Sequence, residues 1–88
     1  LEIEIIASKG RDIVFVEVKT RREKGSRPED AINARKISNM VRAANVYLRA
    51  HRVDLNARFD VAAISGDPHD FELLYMEDAF RPPLRTYR

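Results

Sequence analysis

Two apolar runs, Glu4-Ile5-Ile6-Ala7 and Val14-Phe15-Val16-Glu17-Val18-Lys19, decide the fold that this sequence predicts. Side chains alternate between the two faces of a strand, so each run places charged residues on a largely apolar surface. The segment from Lys9 to Asp12 predicts a four-residue hairpin loop between two antiparallel strands. The resulting register pairs Ser8 with Ile13, Ile6 with Phe15, Glu4 with Glu17 and Glu2 with Lys19.

Two of these predicted pairs put charged residues where hydrophobic ones are expected. Carboxylates on directly opposed residues repel each other, and a divalent cation removes that repulsion. Mg²⁺ or Mn²⁺ prefers oxygen ligands and commonly retains several water molecules. We therefore expect Glu4, Glu17 and the backbone carbonyl of Val18 to form part of a metal site.

Lys19 lies two residues after Glu17, on the same face of the predicted strand. Hydrolysis of a phosphodiester needs a metal that polarises the phosphoryl oxygen and activates water, and a cation that stabilises the developing charge. The hairpin thus predicts a phosphodiesterase site in which Glu4, Glu17 and Lys19 are the catalytic residues.

An acidic residue followed on the next strand by Glu-x-Lys resembles the PD-(D/E)xK nuclease superfamily of restriction endonucleases and archaeal Holliday-junction resolvases. Five segments extend the match: Glu2-Ile3-Glu4-Ile5-Ile6-Ala7, Val14-Phe15-Val16-Glu17-Val18-Lys19-Thr20-Arg21, Pro28-Glu29-Asp30-Ala31, Tyr47-Leu48 and Arg58-Phe59-Asp60-Val61. In this order they resemble the uncharacterised bacterial YraN-type family, UPF0102, a branch of that superfamily. The resemblance implies an α/β fold with a restriction-endonuclease-like mixed β-sheet and flanking helices. It also implies Mg²⁺- or Mn²⁺-dependent cleavage of DNA, with branched or structured DNA as a substrate.

The family differs from this chain at two points. It usually has Asp at the position of Glu4, and a helix with an acidic residue and a strand precede its hairpin. Because the chain begins at Leu1, which is neither an initiator Met nor a helix start, we expect residues 1–88 to be a single domain that lacks its N-terminal part. The missing helix, or a second copy of the chain in a homodimer, would then cover the sheet.

Composition gives weaker constraints. A chain of 88 residues fits one small domain. It contains no cysteine, which excludes disulfides and thiolate metal sites and favours a cytoplasmic protein. No apolar run approaches the roughly 18 residues of a membrane span, so we expect no membrane partner.

Four basic residues follow the predicted site: Arg21, Arg22, Lys24 and Arg27. They could bind the phosphate backbone of a nucleic acid, with DNA as the expected partner, and make binding salt-dependent. The alternative is a solvated loop without a ligand. The net charge of +2 is too small to decide between them.

The rest of the chain predicts a short helical turn over residues 28–32, a helix capped by Asn33 that runs to about His51, and strands over 58–64 and 71–75. The helix has an apolar stripe for the sheet: Ile37, Met40, Val41, Ala44, Tyr47 and Leu48. A helix between two strands predicts that they pair in parallel. We also expect Phe80 to pack on the core, and Asp60 either to pair with Arg58 or to support the metal site.

Four questions stay open at this point. The spacing does not settle whether Lys36 faces the site, and the basic outer face of the helix is either a DNA contact or an ordinary solvated surface. The fold could also belong to a module that binds nucleic acid without cleaving it. Finally, the Glu and Lys residues could form a surface salt-bridge ladder, Glu2 with Lys19 for instance, in which each exposed pair contributes about 0–1 kcal/mol.

Overall fold

The structure is a computed structural model that describes residues 3–25 and 27–81, with the backbone alone at positions 3, 4 and 31. Within these residues the strands are β1 (Ile3–Lys9), β2 (Asp12–Arg21), β3 (Asn56–Asp67) and β4 (Asp70–Met76), and the α-helix is α1 (Ala34–Ala50). A 3-10 turn over Pro28–Ala31 precedes α1. The predicted α/β fold with a mixed sheet is confirmed, with one flanking α-helix in the described part of the chain.

β1 and β2 form the predicted antiparallel hairpin. Three of the predicted pairs are present in its register: Ser8 with Ile13, Ile6 with Phe15 and Glu4 with Glu17. The fourth predicted pair involves Glu2 and lies outside the described residues. The hairpin therefore brings together the two acidic positions that the alternation of the sequence predicts.

The hairpin loop is shorter than the predicted four residues. Lys9 pairs with Asp12, so only Gly10 and Arg11 form the turn. Gly10 has a φ of +60°, a left-handed conformation that tight hairpin turns use and that glycine adopts without strain. The additional pair extends the ladder by one step and leaves the rest of the register unchanged.

The chain crosses from β2 to β3 through α1, and these two strands are parallel, as predicted. The sheet order β1-β2-β3-β4 makes β2 and β3 the central strands and places β4 at an edge, antiparallel to β3. The side chain of Asn33 caps α1 by accepting a hydrogen bond from the backbone N–H of Lys36 at 2.9 Å. No helix in the described part of the chain has the length and hydrophobicity of a membrane-spanning segment.

α1 packs on one face of the sheet through an apolar core that contains Ile13, Phe15, Met40, Ala44, Leu48 and Phe59. The rings of Phe15 and Phe59 stack with their centroids 5.6 Å apart, and Phe80 stacks on Phe59 at 4.9 Å. The predicted docking of Phe80 on the core is thus confirmed.

The opposite face of the sheet is also apolar. Its centre is a second cluster formed by Val14, Val16, Val18, Ala62 and Ile64. The register places four large hydrophobic residues around this cluster, each about half exposed: Ile5, Phe71, Leu73 and Tyr75. No helix of the described residues covers this face, in line with the uncovered sheet face that the sequence predicts.

Asp60 lies on this second face and has no solvent exposure. Arg58 donates from Nε to Oδ1 at 3.0 Å and from Nη2 to Oδ2 at 2.9 Å, and the Tyr75 hydroxyl and the Asp78 backbone N–H also donate to the carboxylate. Burial alone would raise the pKa of Asp60, but these donors outweigh it and hold the pKa below its usual value. Burial and the bond to Asp60 raise the pKa of Tyr75 to about 12. Of the two predicted roles, Asp60 therefore has the structural one, as the partner of Arg58.

Asp60→Ala should lower the free energy of unfolding by about 3–5 kcal/mol, because the Arg58 guanidinium, the Tyr75 hydroxyl and the Asp78 N–H all lose their buried acceptor, and Arg58 keeps only Glu77 at 4.0 Å. Urea denaturation at neutral pH measures this change. Asp54→Ala, in the exposed turn after α1, is the matched control and should change the free energy by less than about 0.5 kcal/mol.

The effect of Asp60→Ala should also depend on pH. Because folding lowers the pKa of Asp60, its ionised form stabilises the fold above the unfolded-state value of about 4, and this stabilisation is lost as the pH falls below it. The difference between parent and variant should shrink below that pH. A loss at neutral pH no larger than that of the control would contradict the structural role of Asp60.

Candidate active site

Glu17 lies in the central strand β2 and is only 3% exposed. The register places Glu4 of β1 on one side of it and Val61 of β3 on the other. The predicted pairing of two acidic residues is therefore confirmed at the level of the backbone. A buried carboxylate is costly unless positive charge or hydrogen-bond donors compensate it, so the neighbours of Glu17 define the chemistry of the site.

Lys36 supplies positive charge to Glu17 from a different element. Its Nζ lies 3.4 Å from Oε2 of Glu17, and its side chain is 28% exposed. Asn33 fixes this placement, because the cap sets where α1 begins and Lys36 is in the first turn. The sequence left the direction of Lys36 open, since a lysine just after a helix cap carries no signal of the strand that the helix crosses.

Lys19 and Val18 extend the site along β2. Lys19 is half-buried and follows Glu17 by two residues, so both lie on the face that α1 covers. Its register partner in β3 is Ala63, which is small and fully buried. The side chain of Val18 packs in the second cluster on the other face, so Val18 could serve the predicted metal site only through its backbone carbonyl.

The donor set fits a hard divalent cation. Two acidic residues at one register position and a backbone carbonyl are the oxygen donors that Mg²⁺ and Mn²⁺ prefer, and both metals commonly retain water in their remaining positions. The described residues contain no cluster of three or more His, Cys, Asp or Glu side chains. A metal here would therefore depend on Glu17 together with Glu4, whose side chain is not among those described.

The four predicted nucleic-acid-binding residues separate into two pairs. Lys24 Nζ lies 2.6 Å from Oδ2 of Asp70, and Arg27 Nε donates to Oε2 of Glu29 at 2.9 Å. Lys24 thus pairs with the first residue of β4, and Arg27 pairs with a residue of the adjoining 3-10 turn, and both pairs are exposed to solvent. Arg21, the last residue of β2, and Arg22, which follows it, are both exposed.

Arg21 and Arg22 also line a surface pocket of about 450 Å³. Its other lining residues are Thr20, Ile64, Gly66, Asp67, Pro68 and Phe71. Thr20 and Ile64 are register partners on the face opposite Glu17, because alternate residues of a strand point to opposite faces. This largely apolar pocket is therefore separate from the Glu17 site.

Comparison with known proteins identifies the family of this chain. Residues 1–64 match the model of the uncharacterised protein family UPF0102. The chain belongs to this family. It is similar to a UPF0102 protein of Bacteroides thetaiotaomicron, with 38% identity over 84 residues that make up 94% of this chain and 69% of the relative.

Two further UPF0102 proteins are similar over most of the chain. That of Parabacteroides distasonis is 41% identical over 85 residues, 96% of this chain and 70% of the relative. That of Shewanella amazonensis is 42% identical over 80 residues, 90% of this chain and 70% of the relative. The resemblance to UPF0102 is thus confirmed, and since these names state no activity, the function of this member is argued from its site.

We expect this UPF0102 chain to bind Mn²⁺ or Mg²⁺, and Glu4→Gln combined with Glu17→Gln to abolish the binding, because the amides remove the negative charge that attracts the metal. Isothermal calorimetry measures it directly. The matched control is Glu23→Gln with Glu72→Gln, which removes two exposed carboxylates and should leave the affinity unchanged. Equal affinity in the parent and the Glu4/Glu17 variant would rule out a metal at this position.

Proposed function

We propose that this protein is a metal-dependent nuclease that hydrolyses phosphodiester bonds in DNA. The observation that carries the proposal is the register match of Glu4 with Glu17, beside which Lys36 reaches Glu17 from α1 and Lys19 follows it on β2. Acidic residues that attract a divalent cation and ammonium groups that attract phosphate are the two components that phosphodiester hydrolysis requires.

Each residue of this set has a distinct task in the proposed reaction. Glu17 and Glu4 would hold the cation, with the carbonyl of Val18 as a further oxygen ligand. The cation, when bound, supplies Lewis-acid activation of the phosphate and of water. Lys19 would donate hydrogen bonds to the phosphate oxygens and stabilise the charge that develops on them.

Lys36 would have a supporting task in this proposal. Its ammonium offsets the charge of the buried Glu17 carboxylate, a charge that the interior would otherwise disfavour strongly. A divalent cation at Glu17 would take over that compensation. The ammonium could then turn toward the phosphate, because the lysine stem is long and rotatable.

Two broader features agree with a nuclease that acts on DNA. Arg21 and Arg22 are exposed two and three residues after Lys19, at the end of β2, where they could contact the phosphate backbone of bound DNA away from the scissile bond. A chain with no cysteine also suits the reducing cytoplasm in which such DNA would be found. Branched or structured DNA enters the proposal only through the resemblance to junction resolvases.

A nucleic-acid-binding module without turnover is the second candidate. The ion pair between Lys36 and Glu17 favours it, since an ammonium can compensate the buried carboxylate without any metal. In that case Lys19 would only neutralise phosphate. The two candidates therefore differ in what Lys19 does.

Lys19→Ala separates these candidates. If Lys19 stabilises the transition state, cleavage should fall by about two to three orders of magnitude while DNA affinity stays nearly unchanged. If Lys19 only binds phosphate, affinity should weaken and the slope of log K against log salt should drop by about one. Lys9→Ala, at the exposed end of β1, is the matched control and should change neither quantity.

The assay offers the protein duplex, single-stranded, flap and four-way-junction DNA, and RNA, in the presence of Mn²⁺. Circular dichroism checks that each variant is folded. If no substrate is cut but Lys19→Ala still changes the salt dependence of binding, the nuclease proposal fails and the binding module stands. If neither cleavage nor binding occurs, Glu4, Glu17 and Lys19 form only a salt-bridge ladder.

A further inference from the structure

The outer face of α1 carries a basic stripe that the core does not use. Its members recur every three or four residues and are all exposed: Arg35, Asn39, Arg42, Val46 and Arg49. They lie opposite Met40, Ala44 and Leu48, the buried residues of the same helix. The stripe therefore faces directly away from the sheet.

All charged residues of α1 are basic. The helix has four basic residues and no acidic residue, although the whole chain is nearly balanced, with 16 basic and 14 acidic residues. Exposed helix surfaces commonly gain stability from pairs of opposite charge three or four residues apart, and α1 has none. Its outer surface consequently carries arginines with no acidic residue of the same helix between them, an arrangement that attracts polyanions.

The basic residues in the first turn of α1 do not stabilise the helix. Arg35 and Lys36 both lie there, with no acidic residue beside them in that turn. The helix dipole disfavours cations at this end and favours them at the other, where Arg49 lies. Lys36 has its contact with Glu17, whereas the position of Arg35 is explained neither by the dipole nor by the core.

We propose that this stripe binds the sugar–phosphate backbone of duplex DNA. Arg35, Arg42 and Arg49 are seven residues apart, about 10.5 Å per step, so the stripe is about 21 Å long. That length corresponds to about six base pairs at a rise of 3.4 Å. Arginine suits this ligand because its guanidinium can donate two parallel hydrogen bonds to one phosphate.

The ligand is a duplex rather than a single strand, because single-strand sites combine basic residues with aromatic side chains on which bases stack. The stripe contains no aromatic residue, and Tyr47 of the same helix packs on the core through Phe15 and contacts the ring of His51 at the helix end. The stripe begins in the helical turn that carries Lys36. The stripe therefore runs along the helix away from the candidate active site. It would hold the part of the duplex next to the phosphate to be cleaved. This assignment of a substrate rests on the proposed nuclease function.

The test measures binding without cleavage. Fluorescence anisotropy follows a duplex of about 20 base pairs, several times the predicted footprint, at a series of salt concentrations with a chelator present. Arg35→Gln combined with Arg42→Gln should reduce the slope of log K against log salt by about two. Lys9→Gln combined with Arg11→Gln removes the same charge from the exposed hairpin end and should reduce the slope by less than half of that.

Several results would overturn the assignment: no binding of duplex by the parent, an unchanged slope in the stripe variant, or an equal reduction in the control. Tighter binding to a single strand of the same length, or to phosphatidylserine vesicles, would overturn it as well. Glutamine preserves helix propensity, and circular dichroism confirms that the variants are folded. Because the chelator prevents cleavage, this experiment measures duplex binding alone. Binding by the stripe can therefore be confirmed even if the protein cleaves no DNA, and cleavage can be found even if the stripe does not bind.

Discussion

The burial of the Glu17 carboxylate is the constraint on which the rest of this structure depends. It lies on a central strand at 3% exposure, where an uncompensated charge would cost several kcal/mol. Three elements meet around it: β1 brings Glu4 to the same register position, β3 closes the other side with Val61, and the first turn of α1 brings Lys36. The crossover from β2 through α1 to β3 places the helix and the parallel strand next to Glu17 in the same fold.

The two described carboxylates that are buried in the sheet illustrate different uses of the same chemistry. Asp60 is held by a guanidinium fork, a phenol hydroxyl and a backbone N–H, donors that belong to the fold and leave little capacity for a ligand. Glu17 faces an ammonium on a long side chain from another element. Burial alone therefore does not mark a functional carboxylate, and the two sites differ in the donors that compensate the buried charge.

Sequence patterns predicted the hairpin well because the alternation of apolar residues fixes its register independently of the turn. The loop length was wrong because Gly10 allows a two-residue turn, a detail of backbone conformation that alternation does not encode. Pairing with Arg58 was one of the two roles that the sequence left open for Asp60, but Tyr75 and Asp78 reach Asp60 only through the folded β3–β4 pairing. Lys36 could not be assigned to Glu17 for the same reason, since its direction depends on how α1 crosses the sheet.

The central claim, a metal held at Glu17, is tested most directly by crystallography of the protein grown with Mn²⁺. Anomalous scattering at a wavelength near the manganese edge locates the ion independently of any assumption about the fold. The account predicts one strong peak at about 2.1 Å from a carboxylate oxygen of Glu17, with an oxygen of Glu4 in the same coordination shell. A manganese peak bound elsewhere, or crystals saturated with Mn²⁺ in which Lys36 still contacts Glu17 and no peak is present there, would contradict it.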